Sequence, residues 1–490
     1  MRLLFKKSGN EQCSAPLAVI LAAGNGCRLQ NGSNVIPKPL ISVRGLSLAE
    51  RSIARLREVG VVRFVVVLGA NADSVRAHFE SVAKRRCCAI DFIVAKNWEL
   101  GNGCSAAAAE SLVGHEPFLL TMVDHLLSRE LVLKLLSQPP PPGGIALAVD
   151  HNKSHIFDEA DLTKVRIEDE HVVVIGKGLK TWDAGDTGLF YCTSELFRGL
   201  SHARLRGRFS LTDGVRECLP RGVRAIDVTG SRWVDVDTPD AIREAEALVD
   251  ASLMKGREDG FVSQYLNRPI SRWMSKMLSR TSVSPNQISV LSFLLALCGA
   301  GALVVTNVWA WVIGGLLIQI ASIVDGCDGE IARIKLLHSH RGAWLDTMLD
   351  RYADLAIGIA VTFAASRQYS APWIWPAGLV AILSFPLASY VTKEYTLRFG
   401  KPYPNNLLDR LKRRDLRVLV VAVGALLGQP FASLIIIGAL THVIVLLIMI
   451  DAWHSAGQFD VSTPSSTTRL IDDVRPAEPD LALTESGASK

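Results

Sequence analysis

The sequence lacks the marks of the commonest binding classes. Its nine cysteines include no CxxC pair and no metal-finger spacing, and Cys87 and Cys88 are adjacent. That excludes a zinc finger and a disulfide-stapled fold and fits a reduced, cytosolic setting. No Lys/Arg-rich stretch is interleaved with aromatics, and the net charge of +5 is small for 490 residues. No nucleic-acid groove is therefore expected. Residues 1–7 are basic, but polar residues follow in place of an apolar run, so no signal peptide is expected. Residues 462–490 are polar and are expected to form a disordered tail.

What is present divides the chain. Hydrophobic residues make up 49% of it, too many for a soluble enzyme of ordinary composition, and the excess lies after about Ile288. The expected parts are a soluble domain over 1–255, an amphipathic juxtamembrane segment over 256–287, a membrane domain over 288–455 and the tail over 456–490. Short apolar runs at 17–22, 64–68, 90–94, 118–122 and 145–149, separated by helical patterns, predict a Rossmann-like α/β domain with a mostly parallel sheet. The Pro139 to Gly144 run reads as a breaker between two lobes. In the juxtamembrane segment Arg268, Arg272, Lys276 and Arg280 alternate with Ile270, Trp273, Met277 and Leu278, the pattern of a helix lying on a membrane surface.

The remainder predicts an all-α domain of six transmembrane helices at 288–306, 308–324, 352–365, 373–391, 418–427 and 432–453, the third and fifth being short and expected to extend into polar flanks. Basic residues concentrate after the second and fourth spans. The positive-inside rule then puts both termini and the soluble domain on the cytoplasmic side of a multi-pass protein of the cell (inner) membrane.

The membrane half holds Asp325-Gly-Cys-Asp328-Gly329-Glu-Ile-Ala-Arg333, followed by Gly342, Asp346 and Asp350. Spacings of three and four put Asp325 and Asp328 on one helix face, and Asp346 and Asp350 on a face of the next helix. Carboxylates gathered at a membrane interface need a compensating cation or a proton, and oxygen-only ligands favour Mg²⁺, Mn²⁺ or Ca²⁺ over zinc. Gly329 and Gly342 would let a nucleotide approach, and Arg333 can hold its pyrophosphate. This segment resembles the signature of the CDP-alcohol phosphatidyltransferase family. The resemblance implies that Asp325, Asp328, Asp346 and Asp350 bind the metals, and that Asp350 deprotonates the acceptor hydroxyl.

In the soluble half the first strand runs through Leu21 and Ala22 into Gly24, Gly26 and Arg28, and Lys38 follows between two prolines. A glycine-rich turn presents backbone N–H groups to phosphates while Arg28 and Lys38 supply charge. Asp124 stands at a strand's C-terminal end, where open α/β sheets bind ligands, and Asp235 and Asp237 come late in the domain. The set resembles the nucleotidyltransferases that join a nucleoside triphosphate to a phosphorylated sugar, alcohol or amine. That resemblance implies Asp124 and Asp235 as Mg²⁺ ligands, with Asp237 the less certain neighbour. It also implies Arg28 and Lys38 in catalysis, Asn102 and Ser105 near the nucleobase, and Lys177, Lys180 and Asp186 to Gly188 near the acceptor phosphate.

The order of the two parts resembles bifunctional enzymes that make CDP-inositol and then use it. CTP and inositol phosphate are the implied substrates, CDP-inositol the intermediate, a phosphorylated di-inositol phosphodiester the product, Mg²⁺ (or Mn²⁺) the cofactor in both domains, and a homodimer through the membrane domain the assembly. Lys393, Arg414 and Arg417 are the candidates for holding the second acceptor's phosphate. Two alternatives stay open: an inositol-phospholipid synthase, and a membrane synthase whose soluble domain senses nucleotide without catalysis.

Overall fold

The computed structural model describes residues 16–26, 36–153, 161–253 and 260–456. Arg28 and the polar tail lie outside the described residues. Two compact units result. The first joins the soluble domain to residues 268–290 and 323–346, and the second takes 258–267, 291–322 and the chain from Thr347 onward.

Among the described residues the soluble domain forms a nine-stranded sheet. Its order is Ala89–Val94, Arg63–Leu68, Leu17–Ala22, Phe118–Met122, Ala184–Cys192, Ile145–Asp150, Val223–Asp227, His171–Gly176 and Lys164–Glu168. The first four run parallel, Leu17 registering with both Arg63 and Phe118. Every residue of Leu17–Ala22 is buried, as a strand covered on both faces requires. Leu17, Val19 and Leu21 face one core, while Ala18 and Ile20 face another built with Ile53, Leu56 and Phe79 from helices Leu48–Glu58 and Ala72–Arg86.

The second half of the sheet departs from the expected parallel pattern. Ala184–Cys192 runs antiparallel to both of its long neighbours, and Lys164–Glu168 pairs with His171–Gly176 as a hairpin. Asp169 and Glu170 both take positive φ in the turn, the backbone a two-residue hairpin loop demands. The sheet is mixed. The proline run does not divide lobes either: it joins helix Arg129–Leu136 to strand Ile145–Asp150 of the same sheet, with Gly144 N–H donating to Pro141 O at 2.8 Å.

In the first unit, helix Arg268–Leu278 buries Ser271 and Ser275 and exposes Ile270, Trp273 and Met277. In the second unit Ala296, Ala300, Ile318, Ala353, Ile357, Phe385, Val421 and Leu434 pack into one core. Among the described residues four helices are long and apolar enough to cross a membrane: Pro285–Val304, Val308–Ile334, Ile374–Phe399 and Pro430–His454. His340–Gln368 does extend into its polar flank, over 29 residues, but carries Asp346, Asp350 and Asp354. Arg414–Leu426 has 13 residues, about 20 Å at ~1.5 Å per residue against a core of ~30 Å.

Candidate active sites

The nucleotidyl site forms where the parallel strands end. After Phe118–Met122 the chain turns through Asp124 into the short strand His125–Leu127, which pairs antiparallel with Trp233–Asp235 and sets His125 opposite Asp235. This ribbon brings carboxylates 111 positions apart in sequence to one place: His125 Nδ1 lies 2.8 Å from Asp124 Oδ1 and 3.9 Å from Asp235 Oδ1. Lys38 Nζ sits 2.5 Å from Asp124 and also pairs with Asp237. Beside them opens a cavity of about 360 Å³, lined among others by Asn102, Lys177, Asp186, Gly188, Ser210 and Asp237.

Glycine is required at 188. Its φ is +73°, and a Cβ there would stand 2.3 Å from the His125 ring. The His125 ring thus rests directly on the bare backbone of the strand carrying Asp186, whose Oδ1 accepts from Gly188 N–H at 2.7 Å.

Electrostatics follow from that packing. Burial works against charge on His125, but the Asp235 and Asp124 carboxylates raise its pKa to about 9. Burial also opposes ionisation of Asp124, yet Lys38 and His125 overcome it and hold that carboxyl well below the usual range. Asp235 is pushed up by burial, which the His125 charge only partly offsets. Asp186, in the cavity wall, is pushed up by burial to about 6.

Asp124, His125 and Asp235 each offer a ligand atom within 4.8 Å of the others, and Asp235 Oδ1 is buried with no hydrogen-bond partner. The set fits a divalent cation, whose place between Asp124 and its neighbours the Lys38 ammonium shares. The sequence reading missed His125 as a member; its position beside Asp124 was visible, but its pairing with Asp235 was not. Leu21 and Ala22 are buried at the strand end, Gly24 is open on all sides, and Gly26 packs on Lys38. Ser105 is buried in its helix. Lys177 is exposed and pairs with Asp161 at 2.5 Å, and Lys180 is exposed outside the cavity lining.

The second acidic cluster is also in the first unit. Asp325 and Asp328 from helix Val308–Ile334 and Asp346 from helix His340–Gln368 bring oxygens within 4.8 Å of one another. Asp328 Oδ2 accepts from Ser289 Oγ at 2.6 Å. Three carboxylates and no softer donor fit a hard divalent cation. A Cβ on Gly329 would touch only the Arg333 guanidinium, at 3.5 Å, so packing does not demand glycine there and the space beside Arg333 suits a phosphate. Gly342 is tighter, against Ser339 and Asn286. One residue within the motif went unread: Glu330 is fully buried, accepting from Arg268 Nη1 at 2.9 Å and Ser271 Oγ at 2.8 Å.

Asp350 belongs to the second unit, where Arg414 pairs with it at 2.7 Å and with Asp354 at 2.9 Å. Arg414 and Arg417 line a cavity of about 360 Å³ together with Ser389, Lys412 and Arg413. Arg417 is 2% exposed, lies 4.7 Å from the Phe385 ring, and keeps Nε and Nη1 buried without hydrogen-bond partners. Its Nη2 lies 4.0 Å from the Asp354 carboxylate, and the two unmet donors suit a further anion. Lys393 is exposed and does not line this cavity; Lys412 and Arg413, from the basic stretch after the fourth expected span, do.

Both halves of the chain match known families. Residues 18–197 match the MobA-like NTP transferase domain family and residues 282–450 the CDP-alcohol phosphatidyltransferase family. A "Bifunctional IPC transferase and DIPP synthase" of Rubrobacter xylanophilus is 38% identical over 426 residues, 86% of this chain and 93% of that one. The protein of the same name from Archaeoglobus fulgidus is 32% identical, over 84% and 78% of the two chains. A solved inositol-1-phosphate CTP transferase from T. maritima overlays 46% of this chain and 92% of its own, at 25% identity and a TM-score of 0.43. With relatives of more than 30% identity aligned over most of both chains, this chain belongs to the family of bifunctional IPC transferases and DIPP synthases.

Proposed function

We propose that the chain carries out two transfers in sequence. CTP and inositol 1-phosphate (1D-myo-inositol 3-phosphate) give CDP-inositol and diphosphate, and CDP-inositol with a second inositol phosphate gives di-myo-inositol phosphate phosphate and CMP. The observation that carries this reading is one chain holding two separate acidic clusters, Asp124 with His125 and Asp235, and Asp325 with Asp328 and Asp346.

In the first step an inositol-phosphate oxygen attacks the α-phosphorus of CTP and the bond to diphosphate breaks. Lys38, together with Arg28, offsets the charge on the phosphates, Asn102 and Ser105 border the nucleotide, and Lys177 and Gly188 face the sugar phosphate from the cavity wall, with Lys180 approaching from outside it. Mg²⁺, or Mn²⁺ in its place, held by Asp124 and Asp235 and in the second site by Asp325, Asp328 and Asp346 with Asp350, supplies charge neutralisation and alignment of the phosphates. In the second step Asp350 takes the acceptor hydroxyl's proton. The oxygen attacks the phosphorus bonded to inositol, and CMP leaves with its bond electrons. Arg333 holds the pyrophosphate of CDP-inositol, and Arg414 and Arg417, with Lys393 outside the cavity lining, hold the acceptor's phosphate.

A lipid alcohol would carry no phosphate to satisfy Arg417, which favours the phosphorylated acceptor over a lipid synthase. Two placed carboxylates, Asp124 and Asp235, speak against a mere sensor. We place the protein in the cell membrane as six spans, the two short helices crossing with the four longer ones, a homodimer through the membrane domain, with termini and both sites cytoplasmic. Purified protein given labelled CTP, Mg²⁺ and inositol phosphate should yield CDP-inositol and then the phosphorylated dimer by mass spectrometry; a diacylglycerol product at equal rate would overturn the acceptor assignment.

A further inference from the structure

The helix that carries Asp325, Asp328 and Arg333 ends one residue after that arginine, at Ile334. Its last carbonyls have no partner within the helix and must find one elsewhere. The end has the geometry of a Schellman cap: Leu337 N–H donates to Ala332 O at 2.9 Å. The position that takes the left-handed conformation in such a cap is ordinarily glycine. Here it is Leu336, at φ +50°.

Two arginines of the soluble domain, in the same compact unit, complete this end. Arg51 Nη1 donates to Ile334 O at 3.1 Å, while its Nε donates to Val43 O at 3.0 Å. Arg86 donates to Leu336 O at 2.7 Å and to Lys335 O at 2.8 Å, and its Nε donates to Glu50 Oε1 at 2.9 Å. Both side chains are more than nine-tenths buried. Nearby, Gly45, at φ +80°, lets a turn of the soluble domain approach helix-end residue Ser279 so closely that a Cβ would stand 1.9 Å from its carbonyl oxygen. A small cavity touches both His125 of the nucleotidyl site and Arg333. Every carbonyl that the strained cap leaves open at 334–336 is thus met by a donor from the nucleotidyltransferase part of the chain.

We propose that Arg86, with Arg51, is a positioning residue for the phosphotransfer step: the soluble domain holds the C-terminal turn of the signature helix, and with it Arg333, in the geometry that binds the CDP-alcohol. The soluble domain therefore serves the second reaction structurally as well as supplying its substrate. This rests on the reading of Asp325, Asp328 and Asp346 as the phosphotransfer site. Arg86 does not line the cavity that holds Asn102 and Asp186, so its replacement leaves the wall of the first reaction's site in place.

The test is Arg86→Gln in the full-length protein, with the two half-reactions assayed apart. Diphosphate release from CTP should be unchanged, which reports an intact soluble domain. Supplied CDP-inositol should be consumed with kcat/KM lower by about tenfold to a hundredfold, the size of effect a small misplacement of a binding group produces. The loss should fall mainly in KM for CDP-inositol, and amide exchange over 331–338 should quicken. Leu336→Gly in the Arg86→Gln background should recover part of the loss by relieving the cap. Equal loss in both half-reactions, or none in either, would overturn the proposal. Asp328→Asn run alongside separates the two readings: if it leaves CDP-inositol consumption intact, the site assignment has failed instead.

Discussion

Gly188→Ala is the sharpest perturbation of the nucleotidyl site. An alanine there must hold φ near +73° and put its methyl 2.3 Å from the His125 ring and 2.9 Å from Met122 Cε. The left-handed backbone costs an L residue roughly 1–2 kcal/mol, and overpacking a filled site costs typically about 1–3 kcal/mol. The ring is the softer partner, so His125 should move and lose its 2.8 Å contact with Asp124. Displacing a group that orients a metal ligand lowers turnover on the order of 10- to 100-fold. The assay is diphosphate release from CTP with saturating inositol phosphate, beside consumption of supplied CDP-inositol by the same preparation. The expected result is a first step slowed at least about tenfold with the second retained. Wild-type diphosphate release from a folded Gly188→Ala protein would refute the reasoning that His125, through its contact with Asp124, belongs to the working site.

Three further outcomes follow from the geometry. Glu330→Ala strips Arg268 and Ser271 of their shared acceptor at a fully buried position and should cost about 3–5 kcal/mol, read as thermal unfolding in detergent; a loss under about 1 kcal/mol would mean the pair is not the tie it looks. Asp186 has a folded pKa of about 6 against 3.8, so the folded state binds the extra proton and loses stability as pH rises from about 4 through 6. Asp186→Asn keeps the Gly188 contact and removes that penalty, so the variant should be more stable than wild type at pH 7 by up to about 3 kcal/mol and equal to it near pH 4; denaturant melts at the two pH values check both. Arg414→Ala frees Asp350 and Asp354 and opens the basic cavity, and should raise KM for acceptor inositol phosphate while leaving KM for CDP-inositol nearly unchanged; steady-state kinetics with each substrate varied decide it.

Much of this arrangement was legible in the sequence because the signal was local. Asp325 and Asp328, and Asp346 four residues before Asp350, declare their helix faces by spacing alone. The five strands of the apolar runs, four of them buried and Ala89–Val94 at the sheet edge, declare themselves by composition, and the structure has each within a residue of its expected bounds. The edge hairpin 164–176 carries strand signals too, alternation in Lys164–Glu168 and an apolar run in His171–Gly176, but these are short and do not record which strand they join. What stayed hidden depends on distant pairing. His125 meets Asp235 through a three-residue ribbon, Glu330 meets an arginine 62 positions away, and Arg86 meets Lys335 across 249; no periodicity records such partners. The six-span expectation met a compositional limit: two helices carry charge or are short because they frame Asp350 and Arg414, and a site of that polarity erodes the apolar signal of the helices that build it.

The central claim is that one chain makes a CDP-alcohol at the Asp124 cluster and consumes it at the membrane cluster. Asp350→Asn in full-length protein, supplied with CTP, inositol 1-phosphate and Mg²⁺ and followed by mass spectrometry over time, tests it most directly. CDP-inositol should accumulate at the wild-type rate of synthesis with no phosphorylated dimer formed. Disappearance of CDP-inositol at the wild-type rate in that variant, or no CDP-inositol from the wild type itself, would contradict it.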